Sequence, residues 1–299
     1  MKTLIAGQLP PNELYGYLTH AIAPRPICFA STINQKGEVN LSPFSFFNMF
    51  SSNPPICVFS VARWGHTNTI KHTLENVQEV PECVINIVNY PMVQQMSLAS
   101  APYEKGINEF LKAGFTEQKS ELVKPPRVAE APVQIECLVK QVVPLGEEGG
   151  AGNLIICDIK LVHIQDEILD ENGKIDQEKI DLVARLGGDW YCRVTPENLF
   201  KIARPEKGSV IGVDGLPVAI RNSAVLTGND LGKLGNITDL PDENAVEQYA
   251  RQGEIKNLLD ATIGDNFTQE VELHRTAKAL LDTGKVEEAW KALLLSLNF

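Results

Sequence analysis

The distribution of proline is the sequence feature that most constrains how this chain can fold. All 18 prolines lie at or before Pro241, and residues 242–299 contain none. Proline lacks a backbone donor and breaks helix interiors, so a long stretch without it permits regular helices. We therefore predict two parts: residues 1–241, and a helical C-terminal extension over residues 242–299.

The extension has the spacing of amphipathic helices. Apolar residues recur three and four positions apart in the segments DENAVEQYARQ, GEIKNLLDA, FTQEVELHRTAKALLD and KVEEAWKALLLSL. Gly253, Gly264 and Gly284 fall between these segments, where one helix would end and the next begin. The role of the extension stays open between a structural one and the docking of a partner protein.

The chain before Pro241 has mainly the pattern of strands. Five segments rich in Val, Ile and Phe are bounded by Gly, Pro and Asn, at residues 26–33, 55–61, 82–88, 132–143 and 153–164. Short helices are predicted between them, at residues 67–78, 91–99, 107–113 and 176–184. Because no regular helical crossovers separate the strands, we predict a mainly β fold with short helices, a β-barrel or a sandwich, rather than a doubly wound sheet. The Gly-rich segment 205–241 is expected to form turns and short strands that wrap this barrel.

Charge and hydropathy exclude two classes of partner. Lys and Arg number 27 against 38 Asp and Glu, which gives a net charge of −11. Nucleic-acid affinity comes largely from Lys and Arg that displace counterions, so we expect no nucleic-acid partner. Charges or prolines interrupt every apolar run before it reaches the length of a membrane span, and the N-terminus lacks the apolar stretch of a signal peptide. We therefore expect a cytoplasmic protein with no membrane partner.

Standard catalytic and metal-binding motifs are absent from the sequence. The five histidines form no HExxH or HxH pattern, and the six cysteines form no CxxC pair. We therefore expect no metal site, and we interpret the cysteines as small buried side chains in a reducing compartment, with a reactive thiol as the alternative.

Residues 30–53 are dense in Ser, Asn and Phe, and Pro43 interrupts them. A strand ends at Ser31-Thr32 and a turn follows at Gly37; after this turn we predict an irregular segment rather than a regular strand. Small polar groups between aromatic rings suit a flat heteroaromatic ligand, although a Ser-rich loop that satisfies its own backbone has the same composition.

A second candidate region is the start of the helix predicted at residue 67. Thr67 or Asn68 can cap this helix, and free amides at a helix N-terminus attract an anion that Lys71 and Thr73 could help to hold. An ordinary capped helix with a solvated lysine is the alternative.

Between residues 24 and 191 the chain carries a series of separate motifs in a fixed order. They are PRPICFASTINQKGEVNLSPFSFFNMFSSNPP, KHTLENV, ECVIN, NEFLKAGF, KPPRV, IEC and RLGGDWY. In this order they resemble the flavin reductase-like family of FMN-binding split barrels, the flavoredoxin group, over about residues 10–192. One position departs from the pattern, since His72 stands where the family usually has an acidic residue.

The resemblance implies an FMN-binding split barrel that forms a homodimer, with FMN near the subunit interface. It implies that the phosphate or ribityl chain contacts Ser31, Thr32, Lys71 and Thr73. It further implies that the isoalloxazine ring is lined by Ser45, Phe46, Phe47, Asn48, Ser51 and Ser52.

The expected activity is that of an NAD(P)H:FMN oxidoreductase, in which a hydride passes from NAD(P)H to the flavin. Because the flavin carries the chemistry, no catalytic side chain is assigned. Nothing in the sequence marks a nicotinamide site. A non-catalytic FMN-binding electron carrier or redox-sensing module therefore remains the alternative.

Overall fold

The computed structural model describes residues 1–205 and 210–297. The chain divides into two compact units, Met1–Leu199 and Phe200–Phe299. This division lies upstream of the boundary that the proline distribution predicts at Pro241. In the described residues, no helix is both long enough and apolar enough to span a bilayer.

Eleven strands are described in the first unit. They are β1 (Cys28–Ile33), β2 (Val39–Phe44), β3 (Phe47–Ser52), β4 (Pro55–Ser60), β5 (Glu82–Ile87), β6 (Glu117–Gln118), β7 (Arg127–Val128), β8 (Val133–Pro144), β9 (Asn153–Ile164), β10 (Val183–Arg185) and β11 (Tyr191–Arg193). Seven of them form an antiparallel sheet in the order β2-β1-β5-β8-β9-β4-β3, while β6 pairs with β7 and β10 with β11. The five predicted strands are confirmed.

The two edges of the large sheet are consecutive in the chain. β2 ends at Phe44 and β3 begins at Phe47. Two intervening residues can span only a short distance, so this corner brings the two edges of the sheet together. The sheet therefore curves into a barrel whose edge strands are not paired with each other, which is the predicted split barrel.

The prediction that the segment after Gly37 is irregular is wrong, because β2 and β3 are regular strands within it. Pro43 lies in β2 and pairs with Phe29 of β1. β2 is an edge strand, and one of its sides has no partner strand. A proline, which lacks a backbone donor, is therefore tolerated there without the loss of an inter-strand hydrogen bond. The register shifts between Met49 and Ser51 of β3, where a bulge bends the strand.

Four helices accompany the sheet. They are α1 (Pro11–Ala21), α2 (His72–Glu79), α3 (Val93–Ala99) and α4 (Glu109–Ala113). The helix predicted at residue 67 begins later, because Asn68 has a φ of 54° and the backbone amide of Trp64 donates to the carbonyl of Thr69 at 2.9 Å. The helix predicted over residues 176–184 is wrong: the Asp176 carboxylate closes a turn there, and β10 follows.

The two faces of the sheet carry separate cores. Successive side chains of a strand point to opposite faces, so Phe29 and Cys28 enter different clusters. One cluster contains Met96 of α3 and Phe110 of α4, and the other contains Leu74 of α2. The second cluster also buries five of the six cysteines, as expected of small apolar side chains: Cys28, Cys57, Cys83, Cys137 and Cys157.

The second unit is helical. Its helices are α5 (Val218–Arg221), α6 (Gly228–Gly235), α7 (Glu243–Ala250), α8 (Gly253–Ala261), α9 (Asn266–Asp282) and α10 (Val286–Leu295). The four helices predicted after Pro241 are confirmed, although the extension's last two residues, 298–299, lie outside the described residues.

The prediction of short strands over residues 205–241 is wrong for its described part, and residues 206–209 lie outside the described residues. Ile220 of α5 and Leu234 of α6 join a core with Leu281 and Trp290. The Trp290 indole donates to the carbonyl of Leu234 at 3.1 Å. This packing places the segment in the helical unit and explains why the division precedes Pro241.

Candidate functional site

A cavity of about 390 Å³ lies beside the start of α2. We call it the lysine cavity, and its lining includes Asn40, Ser42, Trp64, Lys71, Thr73, Ser100, Tyr103 and Glu109. The volume lies within the range of roughly 300–1,000 Å³ that is typical of small-molecule sites. The lining combines aromatic rings with convergent polar groups, as such sites do.

Lys71 supplies the positive charge of this cavity. Its ammonium lies 4.7 Å from the centroid of the Trp64 ring and 5.7 Å from that of Phe44. Within the described residues, no carboxylate forms an ion pair with it. Burial lowers the pKa of Lys71, because the charged form loses water without gaining a counter-ion. An anion in the cavity would relieve this cost.

The N-terminus of α2 adds a second attraction for an anion. Lys71 is the residue before the helix, and no side chain caps the first turn. Both His72 and Thr73 line the lysine cavity. Free amides and the helix dipole therefore act beside the Lys71 ammonium.

Three buried side chains form a hydrogen-bonded chain at the wall of the cavity. The Glu109 carboxylate, 4% exposed, accepts from the Asn40 side-chain amide at 2.8 Å and from the Leu41 backbone amide at 2.9 Å. An ionised carboxylate only accepts, so these bonds turn the Asn40 carbonyl oxygen toward Thr73. The Thr73 hydroxyl donates to that oxygen at 2.7 Å. The proton of Thr73 is thus committed within the protein.

Glu109 and Asn40 are site residues that the sequence reasoning did not identify. Burial raises the pKa of Glu109, while the hydrogen bonds from Leu41 and Asn40 act in the opposite direction. Glu109 occurs in the NEFLKAGF motif. The motif contributes to the resemblance to the family, but nothing in its spacing predicts that Glu109 contacts Asn40.

A second cavity of about 330 Å³ adjoins the first. We call it the arginine cavity, because Arg25 and Arg185 both line it. Ser100 lines both cavities, and β2 contributes Ser42 to the lysine cavity and Pro43 to the arginine cavity. A flat molecule that lies along β2 would therefore be within reach of both.

The structure disperses the residues predicted to line the flavin ring. Ser45 lines the arginine cavity, and Phe46 is 43% exposed with its ring edge against Tyr15. Phe47 packs against the barrel core. The remaining three lie on the edge strand β3 and line neither cavity: Asn48, Ser51 and Ser52.

Ser31 and Thr32 are fully buried in β1 and line neither cavity. The Thr32 hydroxyl accepts from the side-chain amide of Asn76 on α2 at 3.1 Å, while the Ser31 hydroxyl has no hydrogen-bond partner in the described chain. Thr32 thus anchors the helix whose N-terminus faces the lysine cavity. Among the described residues, no group of three His, Cys, Asp or Glu side chains is arranged to hold a metal ion.

Comparisons with known proteins concern the first unit. The model of the flavin reductase like domain matches residues 20–179. An uncharacterized protein of Aquifex aeolicus is 36% identical over 191 residues, which cover 64% of this chain and 95% of that protein.

Two solved structures are similar as well. Nitrilotriacetate monooxygenase component B from Bacillus cereus is 28% identical with a TM-score of 0.63, over 68% of this chain and 98% of that one. The 2-nitrobenzoate 2-nitroreductase from Pseudomonas fluorescens is 25% identical with a TM-score of 0.60, over 69% of this chain and 100% of that one. Both structures leave roughly a third of this chain unmatched.

Proposed function

The chain belongs to the flavin reductase-like family, and on that basis we propose that it is an NAD(P)H:FMN oxidoreductase. The observation that carries the proposal is the half-buried Lys71 ammonium beside the uncapped start of α2, which has no carboxylate partner among the described residues. This pairing of a cation with free amides suits the phosphate of FMN. The names of the two similar structures, a monooxygenase component and a nitroreductase, support redox chemistry.

The residues of the lysine cavity and of β2 fit FMN. Lys71 and the first amides of α2 would hold the phosphate, and the Thr73 hydroxyl, already bonded to Asn40, would not donate to it. From there the ring would lie along β2 from Ser42 toward Ser45. Trp64 and Tyr103 offer aromatic surface in the lysine cavity. When bound, the flavin supplies the capacity to accept a hydride from reduced nicotinamide.

The chain's own contribution is binding and orientation. The Glu109 carboxylate fixes the Asn40 amide, and through it the Thr73 side chain, so that the wall of the lysine cavity is rigid before a ligand arrives. Lys71 would neutralise phosphate charge, and the nearby anion would raise the pKa of its ammonium. No side chain is required to transfer a proton.

We propose a homodimer interface at the edge strand β3. Met49 and Phe50 on this strand are 57% and 69% exposed. Tyr15 of α1 is 58% exposed, and its ring lies against Phe46, the residue before this strand. A cluster of exposed apolar side chains on an open sheet edge is typical of an interface. Asn48, Ser51 and Ser52 share this strand, so a second subunit would close the ring site over them.

The proposal is tested by the absorbance spectrum of the purified full-length protein with FMN, recorded before and after NADH or NADPH. Bound flavin bands that bleach on addition of either nucleotide support the proposal. Flavin that binds but is reduced only slowly in stopped flow points to an electron carrier. A protein that neither binds FMN nor oxidises either nucleotide contradicts the family function for this chain.

A further inference from the structure

The guanidinium of Arg25 is buried among neutral partners. The residue is 8% exposed, and Nη1 donates to the carbonyls of Thr19 and Ile22 at 2.5 and 2.7 Å. Nη2 donates one bond to the carbonyl of Leu186 at 2.8 Å, and Nε makes a long contact of 3.5 Å to the Ser45 hydroxyl. In the described part of the chain, no carboxylate forms an ion pair with it.

A second arginine lies directly opposite the first. Arg25 and Arg185 exchange two backbone hydrogen bonds of 2.9 Å, and both side chains line the arginine cavity. The Arg185 guanidinium lies 4.5 Å from the centroid of the Tyr191 ring. Its acidic neighbour is Asp189 at 3.7 Å, whose side chain is fully exposed, so water screens that attraction.

Among the described residues, the buried Arg25 and the half-buried Arg185 on this cavity wall have no buried counter-ion. Burying an uncompensated charge is costly, and a bound anion with hydrogen-bond acceptors offsets that cost. Tyr15, Phe44 and Tyr191 add aromatic surface to the same cavity. The lining thus combines positive charge with surfaces on which a planar ring can stack.

We propose that the arginine cavity binds the anionic group of a second small molecule, a carboxylate or phosphate attached to a planar ring, beside the flavin. This inference rests on the proposed function, which assigns the flavin phosphate to Lys71 and brings the ring along β2 to the edge of the arginine cavity, so that Arg25 and Arg185 have no flavin phosphate to neutralise. Two sources share this chemistry: the phosphates of the nicotinamide donor, and an aromatic carboxylate that accepts electrons.

The test uses 4-fluorobenzoate as the probe and follows it by fluorine NMR with the full-length, FMN-loaded protein. Arg185→Gln is expected to weaken probe binding about tenfold or more, because a charge-assisted hydrogen bond is lost. Arg193→Gln is the matched control, since Arg193 lies on the same hairpin but donates to the Asp181 carboxylate at 2.7 and 2.9 Å. Arg185→Lys keeps the charge and is expected to bind the probe with intermediate affinity. Circular dichroism checks that each variant folds.

Steady-state kinetics then identify the source of the anion. If the anion is a phosphate of the donor, Arg185→Gln raises KM for NADH or NADPH with kcat nearly unchanged, and the probe competes with the nucleotide. If the anion belongs to the acceptor, KM for the nucleotide stays constant and the probe does not compete with it. Both patterns support an anion site in the arginine cavity.

Three results overturn the inference. The probe fails to bind the wild-type protein, or it binds folded Arg185→Gln as tightly as wild type, or Arg185→Gln weakens FMN binding while riboflavin binding is unchanged. The last result would assign the arginine cavity to the flavin phosphate itself. Because probe binding is read without flavin chemistry, a wild-type protein that binds the probe but neither FMN nor NAD(P)H contradicts the proposed function alone.

Discussion

The carboxylate of Glu109 accepts a hydrogen bond from the side-chain amide of Asn40 at 2.8 Å, across a sequence separation of 69 residues. This one contact joins α4 to β2 and determines which way the Asn40 amide points. It thereby makes Thr73 a donor toward Asn40 rather than toward a ligand. The wall of the lysine cavity depends on this order of donors and acceptors.

Replacement of Glu109 by glutamine is expected to destabilise the first unit. A carboxamide has one acceptor oxygen, so its NH₂ group would face either the Asn40 amide or the Leu41 backbone amide, and one buried donor would lose its partner. We expect a loss of about 1–3 kcal/mol in urea unfolding. Glu104→Gln, at an exposed position, is the control. Equal stability of the two variants would contradict the hydrogen-bonded chain.

His274 is expected to make the helical unit sensitive to acid. The Ser223 hydroxyl accepts from the backbone amides of Val225 and Leu226, so its own proton goes to His274 Nδ1 at 2.7 Å. The His274 Nε2 proton is then donated to the Ser296 hydroxyl at 3.1 Å. The ring is therefore neutral in the folded unit.

Burial lowers the pKa of His274, against a weaker opposing effect of Glu270. The unfolded chain therefore takes up a proton near its ordinary pKa of about 6.5, before the folded unit does. Stability contributed by the neutral ring is present above that pH and falls as the pH is lowered, by at most about 1.4 kcal/mol per pH unit. Unfolding midpoints measured from pH 7.5 down to about pH 5 should fall less steeply in His274→Gln than in wild type. The exposed His66→Gln should keep the wild-type slope, and identical slopes in all three proteins would contradict this assignment.

Local patterns predicted much of the fold. Both the strands of the first unit and the helices of the extension can be recognised from local patterns of apolar residues in the sequence. The regular β2 strand was missed because Pro43 is tolerated only through the position of that strand at a sheet edge, and strand order is a property of the whole fold.

The candidate site was predicted only in part. Lys71 was identified because a basic residue at a helix start is a local signal. The resemblance implies that Thr32 contacts the ligand, and this stays a prediction. Its hydroxyl accepts a hydrogen bond from Asn76 of α2, and nothing in the sequence tells which face of β1 that helix covers. Glu109 and Asn40 meet through tertiary packing, and their distance in the sequence hides the pair.

A negative charge on the exposed edge strand β3 is expected to weaken the proposed dimer. Phe50→Asp would place a carboxylate in the proposed interface, where burial without a partner is unfavourable. We expect the dimer dissociation constant to rise at least about tenfold in sedimentation equilibrium. Leu111→Asp, at a position 79% exposed on α4, is the control and should leave the dimer intact. A wild-type monomer, or a Phe50→Asp dimer as tight as wild type, would contradict the placement of the interface.

Occupation of the lysine cavity by the flavin phosphate is tested most directly by the dissociation constants of FMN and riboflavin for wild type and Lys71→Met. The two ligands differ only in the phosphate, so the difference between them isolates its contacts. We predict that Lys71→Met raises the dissociation constant of FMN about tenfold or more, equivalent to about 1.4 kcal/mol, and leaves that of riboflavin nearly unchanged. Lys160→Met, on the exposed face of β9, should change neither. If Lys71→Met lowers the affinities for FMN and riboflavin equally, or if it leaves the affinity for FMN unchanged, Lys71 does not hold the phosphate.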